Sequence, residues 1–115
     1  MIILYGISQC DTVRQARQWL DERAIAYTFH DWRKQGLNPV QLRAWVDEWG
    51  WENLVNRRSA TWRNLPAITR EKMDESLALA VMEDQPTLIK RPLLELGSRR
   101  LLGFDAAQWT RLFQN

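Results

Sequence analysis

Apolar residues in this chain fall into short unbroken runs and into stripes spaced by three and four. Met1-Ile2-Ile3-Leu4-Tyr5-Gly6 is a short apolar run, the pattern of a buried strand. Ile7-Ser8-Gln9-Cys10 then reads as a loop. Val13, Ala16, Leu20 and Ala24 recur at helical spacing, with Trp19 widening the stripe, and predict a helix from Thr12 to about Arg23. Asp11 is its expected N-cap. From Ile25 to Trp32 the chain alternates, with Tyr27, Phe29 and Asp31 on one face and Ala26, Thr28 and His30 on the other, which predicts a second strand. A β-α-β opening favours a parallel pair.

Arg33 to Leu37 reads as a polar turn. Asn38-Pro39 announces a helix, with Asn as cap and Pro at the first position. Leu42, Trp45, Val46 and Trp49 form its apolar stripe, and Gly50 ends it. Trp51 to Val55 is expected as a short helix, and Leu65-Pro66-Ala67-Ile68 as a bend before another. Asp74 to about Glu83 predicts a longer helix with Leu77, Ala78, Val81 and Met82 inward; Pro86 closes it. Thr87-Leu88-Ile89-Lys90 is a strand candidate interrupted by Arg91-Pro92. Leu93 to Leu96 and Arg99 to Phe104, joined by Gly97-Ser98, predict a β-hairpin. Asp105 to Phe113 closes the chain as a helix, where Asp105 and Gln108 resemble a capping box and Ala106, Trp109, Leu112 and Phe113 face inward.

The element order is thus β-α-β, a helical insert over approximately residues 38–84, then β-β-α. Such an order around a mixed four-stranded sheet with flanking helices is the plan of a thioredoxin-like α/β domain. With 115 residues, a single domain spanning 1–115 is expected.

Composition narrows the function more than the fold. A net charge of +2, from 16 basic and 14 acidic residues, gives no concentrated basic face, and no nucleic-acid partner is expected. The basic pairs Arg57-Arg58, Lys90-Arg91 and Arg99-Arg100 matter only if they converge on a site. One cysteine and one histidine leave no ligand set for a thiolate-rich metal centre and no internal disulfide. No apolar run approaches the roughly 18 residues of a membrane span, and no secretory leader pattern opens the chain. A cytoplasmic protein in a reducing compartment is expected, with no membrane partner.

The remaining chemistry gathers at Cys10, where a strand ends and a helix begins. The first turn of a helix has unpartnered N–H groups and a partial positive charge. Helix N-termini and neighbouring cations favour the thiolate, which is the nucleophile. A free cysteine is more often a buried small residue, but a loop–helix junction favours the reactive reading.

Four segments carry a resemblance: Tyr5 to Thr12, His30 to Lys34, Ile89 to Pro92, and Leu101 to Phe104. In order and spacing the chain resembles the ArsC-related family, which includes glutaredoxin-coupled arsenate reductases, Spx-type transcription regulators and the YffB branch. The YffB branch is the nearest of these, through Cys-Asp-Thr at 10–12 and the Ile-Lys-Arg-Pro segment. The resemblance implies that Cys10 is the nucleophile. It implies that Arg91 holds an oxyanion or a modified cysteine, and that Pro92 follows a cis bond at the start of the third strand, beside the cysteine. Arsenate reductases surround the cysteine with three arginines. Here the position in the insert falls on Asn56, with Arg57 and Arg58 next to it, and the position after the last strand falls near Gly103. Spx-type regulators use Cys-x-x-Cys, whose last position here is Val13.

These observations predict a glutathione-dependent thiol-disulfide oxidoreductase with one catalytic cysteine, Cys10. Arg91, Thr12, Arg14, Arg57 and Arg58 are the expected supports of a thiolate or anion. Gln9, Asp11, Lys90 and Pro92 are the expected contacts of the thiol substrate. Glutathione is the expected co-substrate, glutaredoxin a further partner, and a protein or small-molecule disulfide the substrate, with no tightly bound cofactor and no metal. The alternatives are an arsenate reductase coupled to glutathione or glutaredoxin, and an Spx-like regulator or protein-interaction module.

Overall fold

The computed structural model describes residues 1–114. The chain divides into two compact units, Gln35–Lys90 and the remainder, Met1–Lys34 with Arg91–Asn115.

The second of these is built on a four-stranded sheet. Its strands are β1 (Ile2–Gly6), β2 (Thr28–Asp31), β3 (Leu93–Leu96) and β4 (Arg99–Leu102), in the order β2-β1-β3-β4. β1 runs parallel to β2 and antiparallel to β3, and β3 and β4 form the hairpin. This mixed sheet, with α1 (Asp11–Glu22) after β1 and a helix (Ala106–Leu112) after β4, is thioredoxin-like. Leu4 of β1 and Leu94 of β3, paired across the sheet, are fully buried with Ala16 and Leu20 of α1 and with Trp109. Trp19 lies edge-on to Trp109 at 5.6 Å, and Phe104 edge-on to Trp109 at 4.8 Å, a geometry that aromatic quadrupoles favour. Gly6 allows the close approach of β1 to α1, because a Cβ there would stand 2.7 Å from Val13 Cγ2.

The Gln35–Lys90 unit contains α3 (Pro39–Trp49), α4 (Trp51–Leu54), α5 (Ala60–Asn64), α6 (Ala67–Glu71) and α7 (Glu75–Asp84). α2 (Trp32–Gln35) precedes them, and Ala106–Leu112 is α8. Asn38 Oδ1 accepts the N–H groups of Val40 and Gln41, as Asn-Pro predicts. Arg43 links α3 to α7 through Glu75 at 3.4 Å. Leu42, Trp45 and Val46 are buried on α3, and Ala78 and Met82 on α7.

Several expectations are corrected. α1 starts at Asp11 and its cap is Cys10; Ala24, expected on the inner face, lies beyond the helix, exposed, with φ 54°. The second strand is only Thr28–Asp31, because Asp31 Oδ1 accepts the Arg33 N–H at 2.9 Å and turns the chain into α2 where a polar turn was expected. Residues 87–90 do not form a strand: Pro86–Leu88 is a 3₁₀ turn, and Ile89 makes an isolated bridge to Val55. Proline at the first position suits a helical turn, since its missing N–H costs nothing there. α5 has no counterpart among the expected elements; Ser59 caps it by accepting the Trp62 N–H. β4 ends at Leu102, and Ala106, expected to face inward on α8, is exposed.

Candidate active site

The candidate nucleophile lies on a loop fastened from both sides. Cys10 is a half-buried free thiol. It is the N-cap of the 12-residue α1, in extended conformation with φ −93° and ψ 129°. Its carbonyl accepts the Arg14 N–H at 2.9 Å, the first hydrogen bond of the helix. Its sulfur makes no capping hydrogen bond. The sulfur therefore sits at the positive end of the helix dipole, by first-turn N–H groups that no cap side chain occupies.

Asp31 anchors the loop from β2. Gly6 and Asp31 are register partners at the ends of their strands. The Ser8 N–H donates to Asp31 Oδ2 at 3.3 Å, and the Arg33 N–H donates to Oδ1 at 2.9 Å. Asp31 is only 4% exposed. Burial alone would raise its carboxyl pKa, but the N–H groups of Arg33, Ser8 and Lys34 and the Ser8 hydroxyl outweigh it and hold the group below its ordinary value. It is thus a buried carboxylate kept ionised by donors from the cysteine loop and from α2. Arg33 completes this side, donating from Nη1 to Gln9 Oε1 at 2.9 Å.

Arg14 anchors the loop from α1. Its Nη2 donates to the Gln9 carbonyl at 2.9 Å, its Nε to the Ser8 carbonyl at 3.4 Å, and its Nη1 pairs with Asp11 at 3.1 Å. Arg14, expected to support a thiolate, thus holds the loop that carries the thiol. Asp11 is an exposed first-turn acid paired with Arg14. Gln9 is tied at both of its carbonyl oxygens. Thr12 is half-buried in the first turn, and its hydroxyl makes no hydrogen bond to the sulfur among the described residues.

The Arg91–Pro92 peptide bond is cis. The β1–β3 pairing ends with Tyr5 opposite Leu93. Pro92 immediately precedes β3 and Arg91 precedes Pro92, just beyond the last pair of that ladder. Pro92 is buried and Arg91 half-buried. The Pro92 carbonyl accepts the Gly103 N–H at 2.7 Å, and Gly103 has φ 85°, a left-handed conformation that favours glycine. An arginine at this position would be strained.

Arg57, Arg58 and Lys90 belong to the other unit. There they line one cleft with Glu52, Val55 and Asn56. Among the described residues no group of three or more His, Cys, Asp or Glu side chains is placed to hold a metal ion, and no helix is long and apolar enough to cross a membrane.

Sequence reasoning missed Asp31 and Arg33. The signal was present: an Asp at a strand end followed at once by Trp-Arg-Lys is a helix-start pattern.

The ArsC family model matches residues 5–112. A solved YffB protein is 43% identical, with a TM-score of 0.90 over 96% of this chain and 97% of its own. An uncharacterized protein of Haemophilus influenzae is 41% identical over 98% of this chain and 99% of its own length. A global transcriptional regulator Spx of Streptococcus agalactiae is 28% identical over 91% of this chain and 77% of its own.

Proposed function

This chain belongs to the ArsC family, and on that premise we propose that it is a glutathione-dependent thiol-disulfide oxidoreductase working through Cys10 alone. The observation that carries the reading is the placement of Cys10: a half-buried free thiol at the N-cap of α1, on a loop held by Asp31, Arg33 and Arg14. A fixed loop keeps the sulfur oriented for in-line attack, and the helix dipole favours the charge it carries.

The Cys10 thiolate attacks the glutathionyl sulfur of a mixed disulfide. A Cys10–glutathione disulfide forms, the substrate S–S bond breaks, and the substrate sulfur leaves as a thiolate that takes a proton from water. A second glutathione thiolate, or glutaredoxin, then attacks the adduct, restoring the Cys10 thiolate and leaving as the oxidised disulfide. The chain supplies one cysteine, so the resolving thiol comes from outside. Arg91, half-buried just ahead of β3, supports the anion, and the buried Pro92 bounds the site on the β3 side.

The test is intact-mass analysis after incubation with glutathione disulfide, followed by turnover of a glutathionylated substrate. We expect one glutathionyl adduct on the native chain, none on Cys10→Ser, and loss of turnover in that variant. Full exchange activity in Cys10→Ser ends this reading.

Arsenate reduction is less well supported. Asn56 and Gly103 stand at or near arginine positions of the arsenate reductases, and a compact oxyanion needs several convergent donors. The Spx relative favours a second reading, a regulator or protein-interaction module. Val13, at the last position of the Cys-x-x-Cys pattern, is fully buried, so such a module would act without an internal disulfide. A Cys10 that forms no adduct in native protein would move that reading to the front.

A further inference from the structure

Two guanidinium groups are fastened to Gln9, the residue before Cys10. Arg14 Nη2 donates to the Gln9 carbonyl at 2.9 Å, and Arg33 Nη1 donates to Gln9 Oε1 at 2.9 Å. They differ in what answers their charge. Arg14 pairs with Asp11 at 3.1 Å and directs its Nε to the Ser8 carbonyl. Arg33 makes no ion pair among the described residues, and the bond to Gln9 takes one of its five N–H donors. Its side chain is exposed while its backbone is held. The Arg33 N–H donates to the buried Asp31 at 2.9 Å, and the preceding Trp32 is buried with its ring stacked on that of Tyr5, 6.4 Å between centroids. A cation held in this way loses little freedom on meeting a ligand.

The acids nearby are already occupied. Asp31 faces inward to the N–H groups of Ser8 and Arg33, and Asp11 is paired with Arg14. Lys34, next along α2, is exposed and makes no ion pair among the described residues. Arg33 and Lys34 therefore leave a positive surplus beside the cysteine loop. Gln9 adds the same polarity: both of its carbonyl oxygens are engaged, so its exposed side chain offers a ligand the hydrogens of its NH₂ group.

We propose that Arg33 is a specificity-determining residue that selects disulfides whose leaving half carries a carboxylate close to its sulfur, the chemistry of a protein cysteine flanked by acidic side chains. The proposal rests on the reductase reading and concerns the substrate half of the mixed disulfide, not the glutathionyl half. Cys10 Sγ bonds to the glutathionyl sulfur, the substrate S–S bond breaks, and the substrate sulfur leaves as a thiolate while its carboxylate meets the Arg33 guanidinium. A contact of this kind at an exposed arginine is modest in strength and is screened by salt.

The experiment follows, by quenched intact mass, the rate at which full-length protein takes up a glutathionyl adduct from three mixed disulfides of glutathione, with 3-mercaptopropionate, 2-mercaptoethanol and cysteamine. The glutathionyl half is constant, and the leaving half is anionic, neutral or cationic. Each rate is divided by that of N-acetylcysteine amide, a free neutral thiol, which removes the intrinsic reactivity of each reagent. The normalised anionic-to-cationic ratio is expected to be about threefold or more at about 0.01 M salt. It should fall toward one at about 1 M salt, where the screening length has shrunk from about 30 Å to about 3 Å. Arg33→Gln is expected to remove most of the excess and Arg33→Lys to keep it, with circular dichroism verifying that each variant is folded. A purely structural role for Arg33 slows all three reagents together and leaves the ratio unmoved. A ratio of one in native protein, a ratio indifferent to salt, a ratio kept in Arg33→Gln, or one lost equally in Arg33→Lys overturns the proposal. Each of these outcomes leaves the Cys10 adduct, and with it the reductase reading, standing. A Cys10 that reacts with none of the three reagents removes both.

Discussion

At the scale of single residues, Asp31 is the side chain whose role exceeds its visibility. It accepts donors from the cysteine loop and from α2 while buried. Asp31→Asn replaces one acceptor oxygen by an NH₂ that faces a donor, at a cost of about 1–3 kcal/mol for a buried group left unsatisfied. Urea denaturation at neutral pH measures the loss. The sign of the pH dependence follows from the lowered pKa. The native group stays ionised below the unfolded carboxylate value, so its stabilisation is complete above about pH 4 and is lost as pH falls through the native value. The gap between wild type and Asp31→Asn should narrow in acid; a gap constant down to full protonation would contradict this. Gly6→Ala places a methyl group against Val13. We expect about 1–3 kcal/mol of destabilisation by overpacking, read from the same denaturation curves, and partial rescue by Val13→Ala. Cys10 was legible as a site candidate because its neighbours in sequence define a strand–loop–helix junction. The fastening of its loop was not, since Asp31 and Arg33 lie more than twenty positions away.

At the scale of elements, caps and prolines were the legible signals and strand limits were not. Asn38-Pro39 announced α3, and Asp105 announced α8, whose Ala107 and Gln108 N–H groups it accepts, whereas the capping role of Asp74 before α7 emerged only in the structure. Asp105→Ala should cost about 1 kcal/mol by removing that cap, measured as a lower thermal midpoint. A full-length α8 with unchanged stability would show that the packing of Trp109 alone holds the helix. Residues 87–90 were read as a strand because a short apolar pair such as Leu88-Ile89 suits a short extended run and a buried turn alike. Pro86 and the bridge from Val55 decided between them. The end of β2 was likewise set by Asp31 turning the chain into α2, which outweighed the alternation running on to Trp32.

At the scale of the molecule, two quantities organise the chemistry: one thiol and a small net positive charge. The chain cannot close a disulfide on itself. Oxidation of native protein without added thiols should therefore give a linked dimer or an oxidised sulfur, read on a non-reducing gel and by intact mass. A monomer of unchanged mass after treatment with oxidant would contradict this. The fully buried Trp109 joins the helices of the sheet unit to β1 and β3. Trp109→Ala should cost about 3–5 kcal/mol, measured by denaturation.

Sequence alone determined the β-α-β and β-β-α halves, the three long helices, the caps of α3 and α8, and the single cysteine at a strand–helix junction. These rest on local periodicity, backbone propensity and composition, which neighbouring residues decide. Only the tertiary structure decided that β3 lies beside β1, with Tyr5 opposite Leu93. It also decided that Asp31 and Arg33 fasten the cysteine loop, and that Arg57, Arg58 and Lys90 share one cleft. Each of these joins residues far apart along the chain. Sheet pairing, burial and hydrogen-bond satisfaction act on the folded whole, and no local pattern carries them.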